Sequence, residues 1–173
     1  HTRFRNVTGV QTCALPISGA TATTASRLYV EFGNAIQSSP AGSGALPVKV
    51  NTGLAIVNPG ATLASIRFTL RSSDGQILAV GFGTLGAGEH RARFLDQLAD
   101  IAPDFALPAD FATRIQRGSL QVDSDQALAI TALRMTTNQQ DNAIFTTVPL
   151  ADLSQGAASD PRSEEHMSEL QSR

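Results

Sequence analysis

The chain has 173 residues, 42% hydrophobic and 16% charged, with a formal net charge of -2 and no tryptophan. A near-neutral, slightly acidic balance argues against a general nucleic-acid surface, which needs a basic face to release counterions. No apolar run approaches the ~20 residues that span a bilayer, and the single cysteine, Cys13, excludes an internal disulfide framework.

Gly19–Ser26 (GATATTAS) is small and polar and reads as a linker. Arg27–Phe32 alternates, with Leu28, Val30 and Phe32 on one face, and predicts a half-buried strand. Gln37–Ala45 is a loop by its Ser, Gly and Pro content. Thr52–Asn58 is apolar on both faces, as a central strand is, and Asn58-Pro59-Gly60 stops it. Ser65–Arg71 turns Ile66, Phe68 and Leu70 inward, and Asp74-Gly75 joins it to Gln76–Leu85 as a hairpin. Glu89–Arg93 is a short strand leading into a helix near Phe94–Ile101, where Phe94, Leu95, Leu98 and Ile101 share one face. Pro108–Thr113 predicts a helical turn, because proline is tolerated at a first helical position. Ser119–Asp123, Ala127–Met135 and Ile144–Val148 complete about eight short strands. The expected fold is all-β, an antiparallel β-sandwich, since one crossover-length helix cannot build βαβ units.

The two ends read differently. One back-translation of Val7–Ser18 (VTGVQTCALPIS) and one of Arg162–Ser172 (RSEEHMSELQS) are reverse complements over their shared length, apart from one base at the Met167 codon. Both resemble translated sequencing-adapter DNA, so residues 1–18 and 162–173 are expected to be adapter-derived scars and not part of the fold. The expected organisation is then a linker at 19–26, one sandwich module over 27–153 and a linker at 154–161, within a fragment of a longer chain. The remainder keeps His90 as its one histidine and no cysteine. Zinc sites built from Cys and His are excluded for lack of ligands, and no cofactor is expected.

The strings RLYVEFGNAI, VNTGLAIVNPG, FTLRSSDGQILA, LGAGEHRARFLDQL, ADFATRIQRGSLQV and ALAITALRMTTNQ, followed by FTTVPLADL, cover roughly Arg27–Leu153. In this order they resemble a β-sandwich module found, often in tandem, in large secreted or surface proteins of soil bacteria such as acidobacteria. The resemblance implies a non-enzymatic extracellular module whose partners are neighbouring domains of the same parent chain. It supplies no catalytic residues.

Gly81-Phe82-Gly83-Thr84-Leu85-Gly86 matches G-x-G-x-x-G, but a dinucleotide site needs a helix directly after the loop, and none is expected. The glycines read instead as strand-end glycines at a bulge or turn. His90 is the only handle for a hydrolase, with Ser119, Asp123 and Asp96 available but not selected by spacing. Asp123-Ser124-Asp125 reads as a solvated turn before it reads as a calcium loop. A glycan or peptide surface would draw on Tyr29, Arg91 and Arg93, while Arg114 and Arg117 are further basic residues. The phenylalanines mostly fall on apolar faces and read as core.

Arg134 is the polar residue most out of pattern. It shares a face with Leu128, Ile130 and Ala132 in a strand whose two faces are both largely apolar. It is therefore expected to be partly buried and to fork onto a carboxylate as a structural clamp, with Glu31 and Asp123 as candidate partners. The leading reading is a structural or interaction module. Glycan or peptide binding and a hydrolase are the alternatives, and neither nucleic-acid binding nor membrane insertion is expected.

Overall fold

The computed structural model describes residues 21–37, 40, 42–111 and 116–155. Among them, eight antiparallel strands form a curled sheet: β1 (Thr23–Gln37), β2 (Val48–Val57), β3 (Ala64–Ser72), β4 (Ile77–Leu85), β5 (His90–Phe94), β6 (Gln116–Thr137), β7 (Ala143–Val148) and β8 (Leu150–Asp152). The adapter-like ends at 1–18 and 162–173 lie outside the described residues.

β6 organises the architecture. Its first half lies between β3 and β1, with Leu120 opposite both Leu70 and Leu28. Its second half lies between β2 and β7, with Ala132 opposite Leu54 and Val148. One layer therefore runs β4-β3-β6-β1-β8 and the other β5-β2-β6-β7. β1 also pairs Gly33 with Val50 of β2, so β1, β2 and β6 are mutually paired where the sheet curls over. The inner faces meet in one core that includes Leu28, Val30 and Phe32 of β1, Leu54 and Ile56 of β2, Ile66, Phe68 and Leu70 of β3, and Leu120, Val122 and Ile130 of β6. Strict alternation puts these residues inside, because successive strand side chains point to opposite faces.

Two local features follow directly from residue chemistry. At the β3–β4 hairpin, Gly75 adopts φ 88°, and its N–H donates to Ser72 O (3.0 Å) while Ser72 N–H donates to Gln76 O (2.9 Å). Left-handed backbone at this point is what Asp-Gly provides. At the end of β2, Asn58 is fully buried and its amide replaces the missing ladder. Its Nδ2 donates to Thr62 O (2.7 Å) and Leu85 O (3.1 Å), and Oδ1 accepts from Gly60 N–H (3.0 Å).

Several expectations need correction. The turn at Asp123–Asp125 is absent, and the two strands expected on either side of it are one strand, β6. The register moves from Ala25↔Asp123 to Thr23↔Leu128, so β6 bulges there. A bulge bends a strand and sharpens its twist, and here it carries β6 from one layer to the other. The polar run lies at that bend, with Asp123 and Ser124 half-buried and Asp125 exposed. The expected linker 19–26 is also partly strand, since β1 begins at Thr23. There Ala25 N–H and Thr23 bond locally, and Leu153 N–H closes onto Ala25 O (2.8 Å). The helix near Phe94–Ile101 is a 3-10 helix, Leu95–Asp100, and Phe94 ends β5 instead of joining its face. Leu95, Leu98 and Ile101 are buried. Phe111 N–H donates to Pro108 O (2.9 Å), as a turn requires, and the end of the expected Pro108–Thr113 turn lies outside the described residues.

Candidate functional site

Among the described residues the buried charged side chain is Glu31, 7% exposed, at the place where β1, β2 and β6 meet. Arg134 Nε donates to Glu31 Oε2 at 2.9 Å, and Arg134 Nη1 donates to Thr136 Oγ1 at 2.9 Å. Arg117, directly opposite Glu31 on β6, stands 3.5 Å from Oε1. The Glu31 backbone is held as well: its N–H donates to Thr52 Oγ1 (2.9 Å), whose hydroxyl donates to Glu31 O (3.1 Å). The carboxylate thus ties both halves of β6 to β1, and the Glu31 backbone, through Thr52, ties β1 to β2. The arrangement has the form of a structural clamp, with Arg134 braced by Thr136 on its own strand.

Asp123 is not part of that clamp. Its carboxylate accepts from Gln121 Nε2 (2.8 and 3.1 Å) and lies opposite Arg67 in the other layer. Asp123 stands at the bend of β6, opposite Ala25 and Arg67, whereas Arg134 stands past the bend, opposite Thr52 and Thr146. Tyr29, Arg91 and Arg93 are not brought together either. Tyr29 is 47% exposed on β1, whereas Arg91 and Arg93 sit on β5 at the far edge of the second layer. Arg91 Nε donates to Glu89 Oε1 (2.6 Å) and Arg93 Nε to Asp100 Oδ2 (2.8 Å). The hydrolase set is likewise scattered. His90 is exposed on β5, Ser119 lies opposite Tyr29 and Arg71 in the first layer, and Asp96 accepts from Asn51 Nδ2 (2.9 Å). Arg114 lies outside the described residues.

Glu89 ionises below the ordinary glutamate range. Donation from Gly86 N–H is the largest cause and Arg91 the next. A depressed carboxylate stabilises the fold above its unfolded pKa, and that contribution is lost as pH falls through the folded value. A carboxyl-carbon NMR titration should place the Glu89 midpoint below that of an ordinary glutamate, and Gly86 N–H should shift with it. A midpoint at or above the ordinary value would show that the turn does not hold this carboxylate.

The G-x-G-x-x-G string has a packing role. Gly81 and Gly83 lie within β4 and face inward, opposite Phe68 and Ile66. A Cβ on Gly81 would stand 2.5 Å from Phe105 Cβ, and one on Gly83 would overlap the Ile101 carbonyl oxygen. These glycines let the segment after the 3-10 helix lie against the sheet and bury Ile101, Ala102 and Phe105. The bulge or strand-end reading of these glycines is corrected accordingly.

That seam fixes where Phe82 points. Between two inward glycines it must face outward, and it is 57% exposed. Arg67, its cross-strand partner, places its guanidinium 5.9 Å from the ring centroid. Beside them runs an open groove of about 740 Å³, walled by Pro103 on one side and Asp123, Ser124 and Asp125 on the other. Asp125 Oδ1 accepts from Ser65 N–H (2.8 Å) and Asp104 Oδ1 from Phe82 N–H (2.7 Å). Among the described residues no three His, Cys, Asp or Glu side chains gather as a metal site, and no helix is long and apolar enough to cross a membrane.

A second exposed phenylalanine is Phe145 on β7, at 56%. It shares the outer face of the second layer with Leu133 and Met135 of β6 and Phe94 of β5. Among the described residues four phenylalanines, Phe32, Phe68, Phe105 and Phe111, are in the core as expected for most of them, and three, Phe82, Phe94 and Phe145, are not. For Phe82 the flanking glycines were the available signal. For Phe145 there was none, because Ile144–Val148 is apolar on both faces.

No family model and no curated protein matches the chain. Among solved structures it is similar to Thermotoga maritima 1070, at 17% identity and TM-score 0.46, over 73% of this chain and 94% of that one. It is also similar to the Anabaena sensory rhodopsin transducer, at 16% identity and TM-score 0.39, over 62% of this chain and 93% of that one.

Proposed function

We propose that this module is a non-enzymatic structural or interaction domain of a larger secreted or cell-surface bacterial protein, with neighbouring domains of its parent chain among its partners. The observation that carries the reading is the outer face of the β5-β2-β6-β7 layer. Phe94, Gly53, Ala55, Leu133, Met135 and Phe145 share it, giving it an apolar centre. Contiguous apolar surface on a folded domain marks an interaction site. Of the ionic groups, Glu31 and Arg134 join β1 to β6, Arg91 pairs with Glu89 just before β5, and Arg93 pairs with Asp100 of the 3-10 helix.

A second reading, glycan or peptide binding, is favoured by Phe82, which offers an exposed ring beside Arg67 and the groove. Aromatic faces and planar polar side chains suit a sugar ring and its hydroxyls. Turnover of ester, glycoside or peptide substrates that disappears in His90→Ala, with the circular dichroism spectrum intact, would overturn the non-enzymatic reading. Retention on a glycan array that Phe82→Ala abolishes would select the second reading.

A further inference from the structure

We propose that the outer face of the β4-β3-β6-β1 layer binds a neutral oligosaccharide along a track that runs from Phe82 to Tyr29. This rests on the second reading above, in its glycan form, and gives it a ligand class and a complete site.

The face is fixed by register. Phe82, Arg67, Asp123 and Ala25 stand in one row across the four strands. Val80, Thr69, Gln121 and Arg27 stand in the next row, and Arg71, Ser119 and Tyr29 in the third. Phe82 and Tyr29 therefore share this face at opposite corners, 57% and 47% exposed. Three strand spacings of ~4.8 Å and four residues of ~3.3 Å separate them, about 20 Å along the diagonal. That span takes several sugar units.

The side chains between the two rings are planar, polar and already held. Arg27 Nη2 donates to Gln121 Oε1 (2.6 Å), and Gln121 Nε2 donates to both Asp123 oxygens (2.8 and 3.1 Å). Thr69, in the middle row, is 3% exposed, so the side chains around it close over the ladder. Ordered side chains lose little rotamer freedom when a ligand binds. The relay also leaves capacity unused, because a guanidinium and a carboxylate have more donors and acceptors than it engages. Arg67, opposite Asp123, makes no hydrogen bond or ion pair among the described residues and only meets the Phe82 ring.

A sugar ring has an apolar C–H face and a rim of hydroxyls that both donate and accept. The first suits the rings of Phe82 and Tyr29, and the second suits Arg67 beside Asp123. The open groove next to Phe82 gives that end of the track depth. Other ligands fit less well. The β3 and β6 backbones are paired on both sides in this layer, so an extended peptide finds no free main-chain edge in the middle of the face. A nucleic acid would meet Arg27, Arg67 and Arg71, but its phosphates would also meet Asp123 and Asp125 beside Phe82. Charges of both signs, interspersed, favour an uncharged chain rich in hydroxyls.

Calorimetric titration of the full chain with disaccharides and hexasaccharides of the cello-, xylo-, manno- and chito-series tests this. The hexasaccharide of at least one series should bind about tenfold more tightly than its disaccharide, since only the longer chain reaches both rings. Salt should change that affinity little. Phe82→Ala and Tyr29→Ala should each bring the hexasaccharide down to the disaccharide level with the circular dichroism spectrum intact. Phe82→Tyr and Tyr29→Phe should keep the wild-type affinity, and Phe145→Ala, on the other layer, should not alter it. A wild type that binds none of the series overturns the proposal and the glycan form of the second reading together. Binding that Phe82→Ala abolishes, but that is the same for short and long chains and for Tyr29→Ala, overturns the track and leaves the second reading standing. Tighter binding of a thymidine oligonucleotide, weakening as salt rises, would assign the face to nucleic acid instead.

Discussion

Gly83→Ala is expected to destabilise the fold by about 3 kcal/mol, the upper end of what overpacking a filled core costs. The added methyl has no free space, because it would overlap the Ile101 carbonyl, which is backbone and cannot rotate away. The segment carrying Ile101, Ala102 and Phe105 must lift, and all three are buried against the sheet. Gly81→Ala forces the same segment away through Phe105, whose Cβ and Cα would lie 2.5 and 2.8 Å from the new atom. Since one displacement relieves both overlaps, the double substitution should cost clearly less than the sum of the singles. Urea unfolding of the four proteins measures this directly. Additive effects would show that the two glycines do not serve one seam, and a cost under about 0.5 kcal/mol for Gly83→Ala would show that the segment is not packed as described.

Arg134→Ala is expected to cost about 2–3 kcal/mol, because it leaves a buried carboxylate with one weak partner. Glu31 would retain only Arg117, at 3.5 Å and itself 60% exposed. The arginine side chain is 33% exposed, so most of the loss falls on the acid left behind. Removing both charges with Glu31→Leu/Arg134→Ala should therefore recover part of the loss. Arg134→Lys keeps a charge but cannot reach Glu31 and Thr136 together as the guanidinium does, and should fall between wild type and alanine. Equal stability of wild type and Arg134→Ala in urea would mean that the pair is solvated and holds nothing.

Much of the fold is legible in local sequence. Alternation in Arg27–Phe32 and Ser65–Arg71 assigns Leu28, Val30, Phe32, Ile66, Phe68 and Leu70 to the core, and all six are buried. The Asp-Gly pair marks the β3–β4 hairpin because few residue pairs supply the left-handed backbone it needs. Asn58-Pro59-Gly60 ends β2 for an equally local reason: proline cannot donate to a ladder. Arg134 stands out because a guanidinium on an apolar face needs a carboxylate.

Tertiary structure decided the rest. Asp123-Ser124-Asp125 has the composition of a turn, and only pairing with β1 and β3 on one side of it, and with β2 and β7 on the other, makes it a bend within β6. The same bend makes Glu31, and not Asp123, the partner of Arg134: it brings Arg117 and Arg134, from the two halves of β6, onto one carboxylate and leaves Asp123 at the bend itself. Which of the two apolar faces of β6 and β7 is interior could not be read from either strand. Side-chain alternation fixes which residues share a face, but only the layer packed above it decides whether that face meets a core or solvent.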